Sequence, residues 1–368
     1  MRTVSNIDSE SISALRFPLA ALVVFVHCLN IQDLHISILG DWYTGDLGLF
    51  VCDSVKICIS RVLGHIVVPC FMFISGYLFY VGMDDMNIKV WVKKMKSRIH
   101  SLLIPFVLWT IIIFAVNVLW LHKVQLIDEL FSQLTIWSMF CHRVSFVDFY
   151  GIGLIDMYPY VTPLWFMVDL MVFCLLSLWI QRFFIRSKWA LILLMVLAMM
   201  TAHKDIAALF YFSIGGYMGL HNIEIVPFAR RHKNIIFFVF AFFATAKFFL
   251  YDDDRNDVFW NMIYNISNFL YINAGIFVLF ILSLMQKRAL WISKEVKYSS
   301  FIIYVFHMEI LWRTRWIINM FLDDNSTPIK ALMVYFLSSI ITIVILVLLS
   351  NLLRRYLPRV NYILTASR

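Results

Sequence analysis

Residues 11–31 read SISALRFPLAALVVFVHCLNI, and this stretch decides the class of fold. It is an apolar run long enough to cross a bilayer, yet it carries two basic side chains, Arg16 and His27. Eleven helical steps of about 100° return to within roughly 20° of the start, so both side chains share one face. They lie about 16 Å apart along the axis, one near a membrane surface and the other near the midplane. Ionisable groups inside a membrane helix are expensive and mark functional sites by default. The plainer account of the pair is that Arg16 snorkels to headgroups while His27 makes an interhelical hydrogen bond.

The rest of the chain is of the same class. Of its 368 residues 62% are hydrophobic and 15% charged, with a mean hydropathy of +0.81. Soluble domains run near 45–50% apolar and about 25% charged, so the chain reads as an all-α polytopic membrane protein. Its net charge of +8 fits Lys and Arg gathered in cytoplasmic loops, and no nucleic-acid partner is expected. The first span lacks a short apolar region followed by a small-residue cleavage site and is expected to be retained. Six cysteines show no metal-ligand spacing. Cys28, Cys58, Cys70 and Cys174 fall in apolar runs as small hydrophobes. Cys52 and Cys141 fall in expected outside loops, where a disulfide between them stays open.

Taking about 20 apolar residues per span, the chain divides into about ten helices, near 12–31, 56–81, 101–121, 163–183, 189–203, 206–221, 235–251, 262–285, 298–314 and 329–352. Together they make a single membrane domain over 1–368. Basic residues follow every second span. They are Lys89, Lys93, Lys94, Lys96 and Arg98, then Arg182, Arg186 and Lys188, then Arg230, Arg231 and Lys233. Lys287, Arg288, Lys294 and Lys297 come next, and Arg354, Arg355 and Arg359 last. The alternate loops are poor in base or acidic, as at Asp252, Asp253, Asp254 and Asp257. The positive-inside rule then puts both termini in the cytoplasm. The largest outside loops are Gln32 to Val55 and His122 to Thr162. The second carries Phe146, Phe149, Tyr150, Tyr158 and Tyr160 with Asp148 and Asp156, either an interfacial aromatic belt or a sugar-stacking surface.

Polar residues recur where lipid-facing apolar ones are the rule. Residues 55–82, VKICISRVLGHIVVPCFMFISGYLFYVG, contain Arg61, His65, Pro69, Ser75 and Gly76. The Pro and the Ser-Gly pair suggest a kink or unwound turn lining a cavity, or simply close helix packing. Arg61 should face a cavity or pair with a carboxylate. Asp169 in PLWFMVDL is one natural partner for Arg61 or His65. His307 and Glu309 in SSFIIYVFHMEIL complete a set with the makings of a polar cavity capable of acid–base chemistry.

These residues form a pattern. The chain resembles the membrane-bound acyltransferase-3 family, integral-membrane O-acyltransferases of bacterial surface polysaccharides. The resemblance rests on Arg16-x10-His27, VVPCFMFISGYLF at Val67 to Phe79, LLIPFVLW at Leu102 to Trp109, PLWFMVDL at Pro163 to Leu170 and SSFIIYVFHMEIL at Ser299 to Leu311. The Pro-Cys-Phe-Met-Phe-Ile-Ser-Gly phrase is closest to the branch of stand-alone acetyl- and succinyltransferases of exported glycans. One motif departs. Arg98 matches the first of a paired basic motif before the third span, but Ser101 holds the second position, and His100 or Lys94 is the available substitute.

The resemblance implies transfer of an acyl group, acetyl foremost, from cytoplasmic acyl-CoA to a hydroxyl of an extracytoplasmic or lipid-linked saccharide. No bound cofactor is implied, because acetyl-CoA or another acyl-CoA serves as donor substrate. His27 is the expected base or transient acyl carrier, with Arg16 and His307 as catalytic companions. Arg16, Lys94, Lys96 and Arg98 are the expected acyl-CoA site, although the lysines also fit simple positive-inside topology. Arg61, His65, Ser75, Asp169 and Glu309 are the expected acceptor or cavity residues. The implied setting is a bacterial inner membrane, beside surface-polysaccharide assembly proteins. The competing reading is a polysaccharide or small-metabolite transporter without covalent chemistry, which such a polar cavity also suits. A sensor or scaffold would leave the buried ionisable set unexplained.

Overall fold

The computed structural model describes residues 4–29, 47–83, 87–123, 142–147, 153–158, 161–201, 203–249, 258–289, 294–322 and 327–366. Among the described residues the regular structure is helical apart from one two-stranded antiparallel hairpin, β1 (His142–Val147) with β2 (Gly153–Tyr158), in which His142 stands opposite Tyr158 and Val147 opposite Gly153. The strands carry the Val, Phe and Tyr enrichment that suits a pleated surface, and they fall inside the stretch read as a plain loop. Cys141, Asp148, Phe149, Tyr150, Tyr160 and the aspartates at 252–254 and 257 lie outside the described residues.

The helices are α1 (Asn6–Cys28), α2 (Leu47–Ile57), α3 (Val67–Tyr80), α4 (Ile88–Arg98), α5 (Ile104–Lys123), α6 (Trp165–Leu175), α7 (Ser177–Ile180) and α8 (Lys188–Thr201). They continue as α9 (Lys204–Leu220), α10 (Ile225–Arg231), α11 (Lys233–Phe249), α12 (Val258–Ala289), α13 (Lys294–Tyr298), α14 (Ser300–Leu322), α15 (Pro328–Tyr356) and α16 (Pro358–Thr365). Among the described residues, five helical stretches are long and apolar enough to cross a membrane: Asn6–Cys28, Leu47–Tyr80, Ile88–Leu119, Phe259–Leu284 and Pro328–Tyr356. Two bent pairs, Thr162–Leu175 with Ser177–Ile185 and Ile225–Arg231 with Lys233–Phe249, raise the number to as many as seven. This is a multi-pass membrane protein. Of the remaining expected spans, α8 and α9 are short at 14 and 17 residues. Helix α14 carries Glu309, Arg313 and Arg315 within one stretch.

By packing, the described residues form two compact units, 1–87 with 176–349 and 88–175 with 350–368. In the first, the tightest joint is between α3 and α9. A Cβ on Gly76 would lie 2.0 Å from the Phe212 carbonyl oxygen, and one on Gly215 would lie 2.0 Å from the Phe73 carbonyl oxygen. Each helix thus offers a glycine to the other's backbone, the close approach that small residues permit in membranes. Tyr80 at the end of α3 donates to the Ser177 carbonyl oxygen at 2.7 Å.

Helix α1 starts six residues before the expected span because Ser5 caps it, its Oγ accepting from the Asp8 amide at 3.3 Å. Asp8 is fully buried and ties three elements together. It accepts from the Tyr77 hydroxyl at 2.9 Å, from the Ile225 amide at 3.0 Å and from the Val226 amide at 2.9 Å. The carboxylate satisfies amide groups that the start of α10 leaves without intrahelical partners. In the second unit, the Trp109 indole of α5 donates to the Leu364 carbonyl oxygen at 3.0 Å, fastening α16 to α5.

Candidate functional site

The site is built around the last turn of α1. The helix ends at Cys28, so His27 stands one residue from its terminus and Arg16 near its middle, not at one end as a helix over 12–31 would have it. Arg16 is exposed and His27 half-buried. The carbonyls that a helix terminus leaves without intrahelical partners are taken up by neighbours. Ser60 donates to the Phe25 carbonyl oxygen at 2.8 Å, and Arg315 donates to that of Cys28 at 3.0 Å. Tyr335 stacks its ring 5.5 Å from that of Phe25 and shares a 2.7 Å hydrogen bond with Ser60. His27 is therefore carried on a turn braced by α14, α15 and the segment after α2.

His307 of α14 lies beside it, with ring centroids 5.0 Å apart and planes inclined at 42°. His307 is fully buried. Its Nδ1 lies 2.8 Å from the Tyr304 carbonyl oxygen and 3.1 Å from that of Ile303. Both are acceptors only, so Nδ1 carries the proton and donates to them. That leaves Nε2 with a lone pair, buried and without a hydrogen-bond partner. An orphaned acceptor of this kind calls for an explanation. Its position against the His27 ring supplies one, since it can accept a proton there.

After α2 the chain does not run straight into α3. Cys58–Leu63 forms a π-helical turn and Gly64–Ile66 a 3₁₀ turn, irregular backbone of the sort found at functional sites. Arg61 lies on the first and His65 on the second. Gly64 is what lets this segment reach α1, because a Cβ there would come within 2.1 Å of the Val26 side chain. His65 and His27 thus each follow a residue of one contact.

His65 Nδ1 meets Lys247 of α11 at 2.9 Å, a partner that the sequence reading did not name. Lys247, fully buried, also bonds Asn268 and Tyr271 of α12. It went unnoticed in the sequence, although a single lysine inside FATAKFFL was the signal. Glu309 likewise has a partner on its own helix, Arg313, at 2.8 Å. The four-residue spacing makes the pair a local one, so Glu309 is engaged before any ligand arrives. Ser75 is half-buried beside Gly76, whose role is the α3–α9 contact. Cys52 lies buried in α2, not in a loop.

Lys94, Lys96, Arg98 and Asp169 belong to the second unit. There α4 presents a basic helix with no buried residue, packed next to α6.

The chain is thus a multi-pass membrane protein with a pair of histidines at the last turn of α1. The acyltransferase domain family matches residues 9–351, and the chain belongs to that family, the acyltransferase-3 family. It is similar to the succinoglycan biosynthesis protein ExoH of Rhizobium meliloti (strain 1021), with 26% identity over 379 residues that cover 98% of this chain and 92% of the relative. No solved structure matches the chain significantly.

Proposed function

We propose that the chain is a ten-span O-acyltransferase of a bacterial inner membrane, both termini cytoplasmic, that moves an acyl group, acetyl foremost, from cytoplasmic acyl-CoA to a hydroxyl of an extracytoplasmic or lipid-linked saccharide. The observation that carries this reading is the histidine pair, with the unpartnered Nε2 of His307 set against the ring of His27. Membership of an acyltransferase family supports the reaction class, and similarity to a succinoglycan biosynthesis protein supports a glycan acceptor.

The chemistry follows from what an alcohol and a thioester need. A hydroxyl is a weak nucleophile until a base takes its proton as it attacks. His27 accepts that proton through one ring nitrogen, and the unpartnered Nε2 of His307 beside it is the acceptor that its other N–H can use as the imidazolium forms. The hydroxyl oxygen bonds to the thioester carbonyl carbon, and the tetrahedral intermediate collapses with loss of the CoA thiolate. The His27 imidazolium returns its proton to that sulfur. Arg16, Lys94, Lys96 and Arg98 are assigned to the polyanionic donor, the arginines through bidentate phosphate contacts.

Protein in nanodiscs supplied with acyl-labelled acyl-CoA tests the reading. Wild type should release CoA thiol and pass label to added glycan, and His27→Ala should do neither while remaining folded. Full activity in His27→Ala would remove His27 from the mechanism. CoA that binds and is never consumed, even with envelope glycan present, would favour transport instead.

A further inference from the structure

Lys247 has no obvious use in the chemistry above, yet its surroundings are specific. Its ammonium is fully buried among three acceptors, His65 Nδ1 at 2.9 Å, Asn268 Oδ1 at 2.5 Å and Tyr271 Oη at 2.9 Å. Three protons and three acceptors match one to one. The ring of Tyr271 lies 4.4 Å from Nζ, and that of Tyr264 lies 5.8 Å away, adding cation–π attraction. No carboxylate pairs with Lys247 among the described residues. A charge held inside a membrane bundle by neutral partners is costly to keep, so a role beyond packing is indicated.

The role lies in what Lys247 does to His65. In neutral imidazole one nitrogen carries the proton and the other a lone pair. With Lys247 as an ammonium, which can only donate, Nδ1 is the lone-pair nitrogen and the ring proton is on Nε2. Nε2 has no hydrogen-bond partner among the described residues. The 3₁₀ turn holding His65 packs, through Gly64 on Val26, against the turn holding His27.

We propose that Lys247 is a positioning residue that locks His65 as the Nε2–H tautomer, making His65 a fixed hydrogen-bond donor to an oxygen of the substrate bound beside His27. This rests on the acyltransferase reading for the identity of that substrate, but the lock itself does not. His65 then acts as a donor and not as a second base. Such a donor, aimed before substrate arrives, stabilises charge without reorganisation.

The test has two parts. The first reads the tautomer directly, by nitrogen NMR of protein labelled with ¹⁵N-histidine in nanodiscs, with the His65 signals assigned by their loss in His65→Gln. In wild type His65 should show a bare Nδ1 and a protonated Nε2, and Lys247→Met should redistribute the proton between them. A protonated Nδ1 in wild type overturns the proposal without any variant having to fold. So does an unchanged tautomer in a folded Lys247→Met.

The second part uses amide mimics. The Gln side chain of His65→Gln places its amide where Nε2 was, and that of His65→Asn places it where Nδ1 was. His65→Asn should lose about tenfold more kcat than His65→Gln, and equal losses overturn the donor role. Lys247→Met should lower kcat and leave the KM for acyl-CoA unchanged. If wild type never turns over acyl-CoA, the acyltransferase reading fails, and the tautomer spectrum still decides what Lys247 does.

Discussion

The ring of His307 lies 5.0 Å, centroid to centroid, from that of His27, with its Nε2 buried and without a hydrogen-bond partner while its Nδ1 is spent on the carbonyls of Ile303 and Tyr304. This division of labour between two nitrogens makes activity and stability respond in opposite directions. His307→Leu stays close to the histidine in volume and removes a buried acceptor without a partner, a group that destabilises by about 1–3 kcal/mol when unmet. The variant should be as stable as wild type or more so in a thermal melt, yet lose about 10²-fold or more in CoA release. A loss of stability with activity retained would show that Nε2 is satisfied in the working protein.

The reciprocal glycines of α3 and α9 give a second prediction. Gly76→Ala drives a methyl into the Phe212 carbonyl, which cannot move without moving α9. Overpacking costs about 1–3 kcal/mol in ordinary cores, and a backbone clash should reach or exceed the upper end. Gly275→Ala meets the mobile end of Ile66 at 2.6 Å and should be milder. Thermal unfolding in detergent ranks the two, and an equal ranking would mean the α3–α9 joint yields.

Asp8 should behave as a structural carboxylate. Asp8→Ala leaves the Ile225 and Val226 amides and the Tyr77 hydroxyl without their acceptor, at a cost of about 2–4 kcal/mol. Tyr77→Phe removes one of the three bonds and should cost about 1–2 kcal/mol. A double-mutant cycle on thermal stability checks the pair, which should be non-additive because the two share one hydrogen bond.

Helix α4 is assigned to the donor. Lys94→Ala, Lys96→Ala and Arg98→Ala should each raise the KM for acyl-CoA by roughly five- to thirtyfold, with kcat little changed. The effects should shrink as ionic strength rises, most for the exposed Lys96 and less for the half-buried Lys94 and Arg98, because solvent-exposed charges are screened within about 10 Å at 0.1 M salt. Unaltered KM values across all three would leave α4 with only a topological role.

Much of the site was legible in the sequence because it is written in local code. Ionisable residues inside apolar runs stand out one by one, and helical periodicity alone puts Arg16 and His27 on one face. The pairing of Glu309 with Arg313 was equally readable from its four-residue spacing. The bond between Lys247 and His65 was not, since the two are 182 residues apart in the chain and no periodicity links them. Span counting by apolar length reaches ten, whereas five to seven helical stretches among the described residues are long and apolar enough to cross a membrane, because α9 is short and largely buried among its neighbours and α14 carries three charged residues. Packing inside the bundle, not lipid alone, sets what those helices can be made of.

By itself the sequence determined that this is a helical, multi-pass membrane protein with an Arg-x10-His helix at its start. Hydrophobic run length and helical pitch are properties of neighbouring residues, and they need no partner to be read. Tertiary structure alone decided where α1 ends, which nitrogen of His307 is left bare, and that His65 meets a buried lysine. Those outcomes depend on hydrogen bonds between helices far apart in the chain. Inside a membrane each polar group must find such a partner in the protein, and only the folded arrangement of helices says which one it finds.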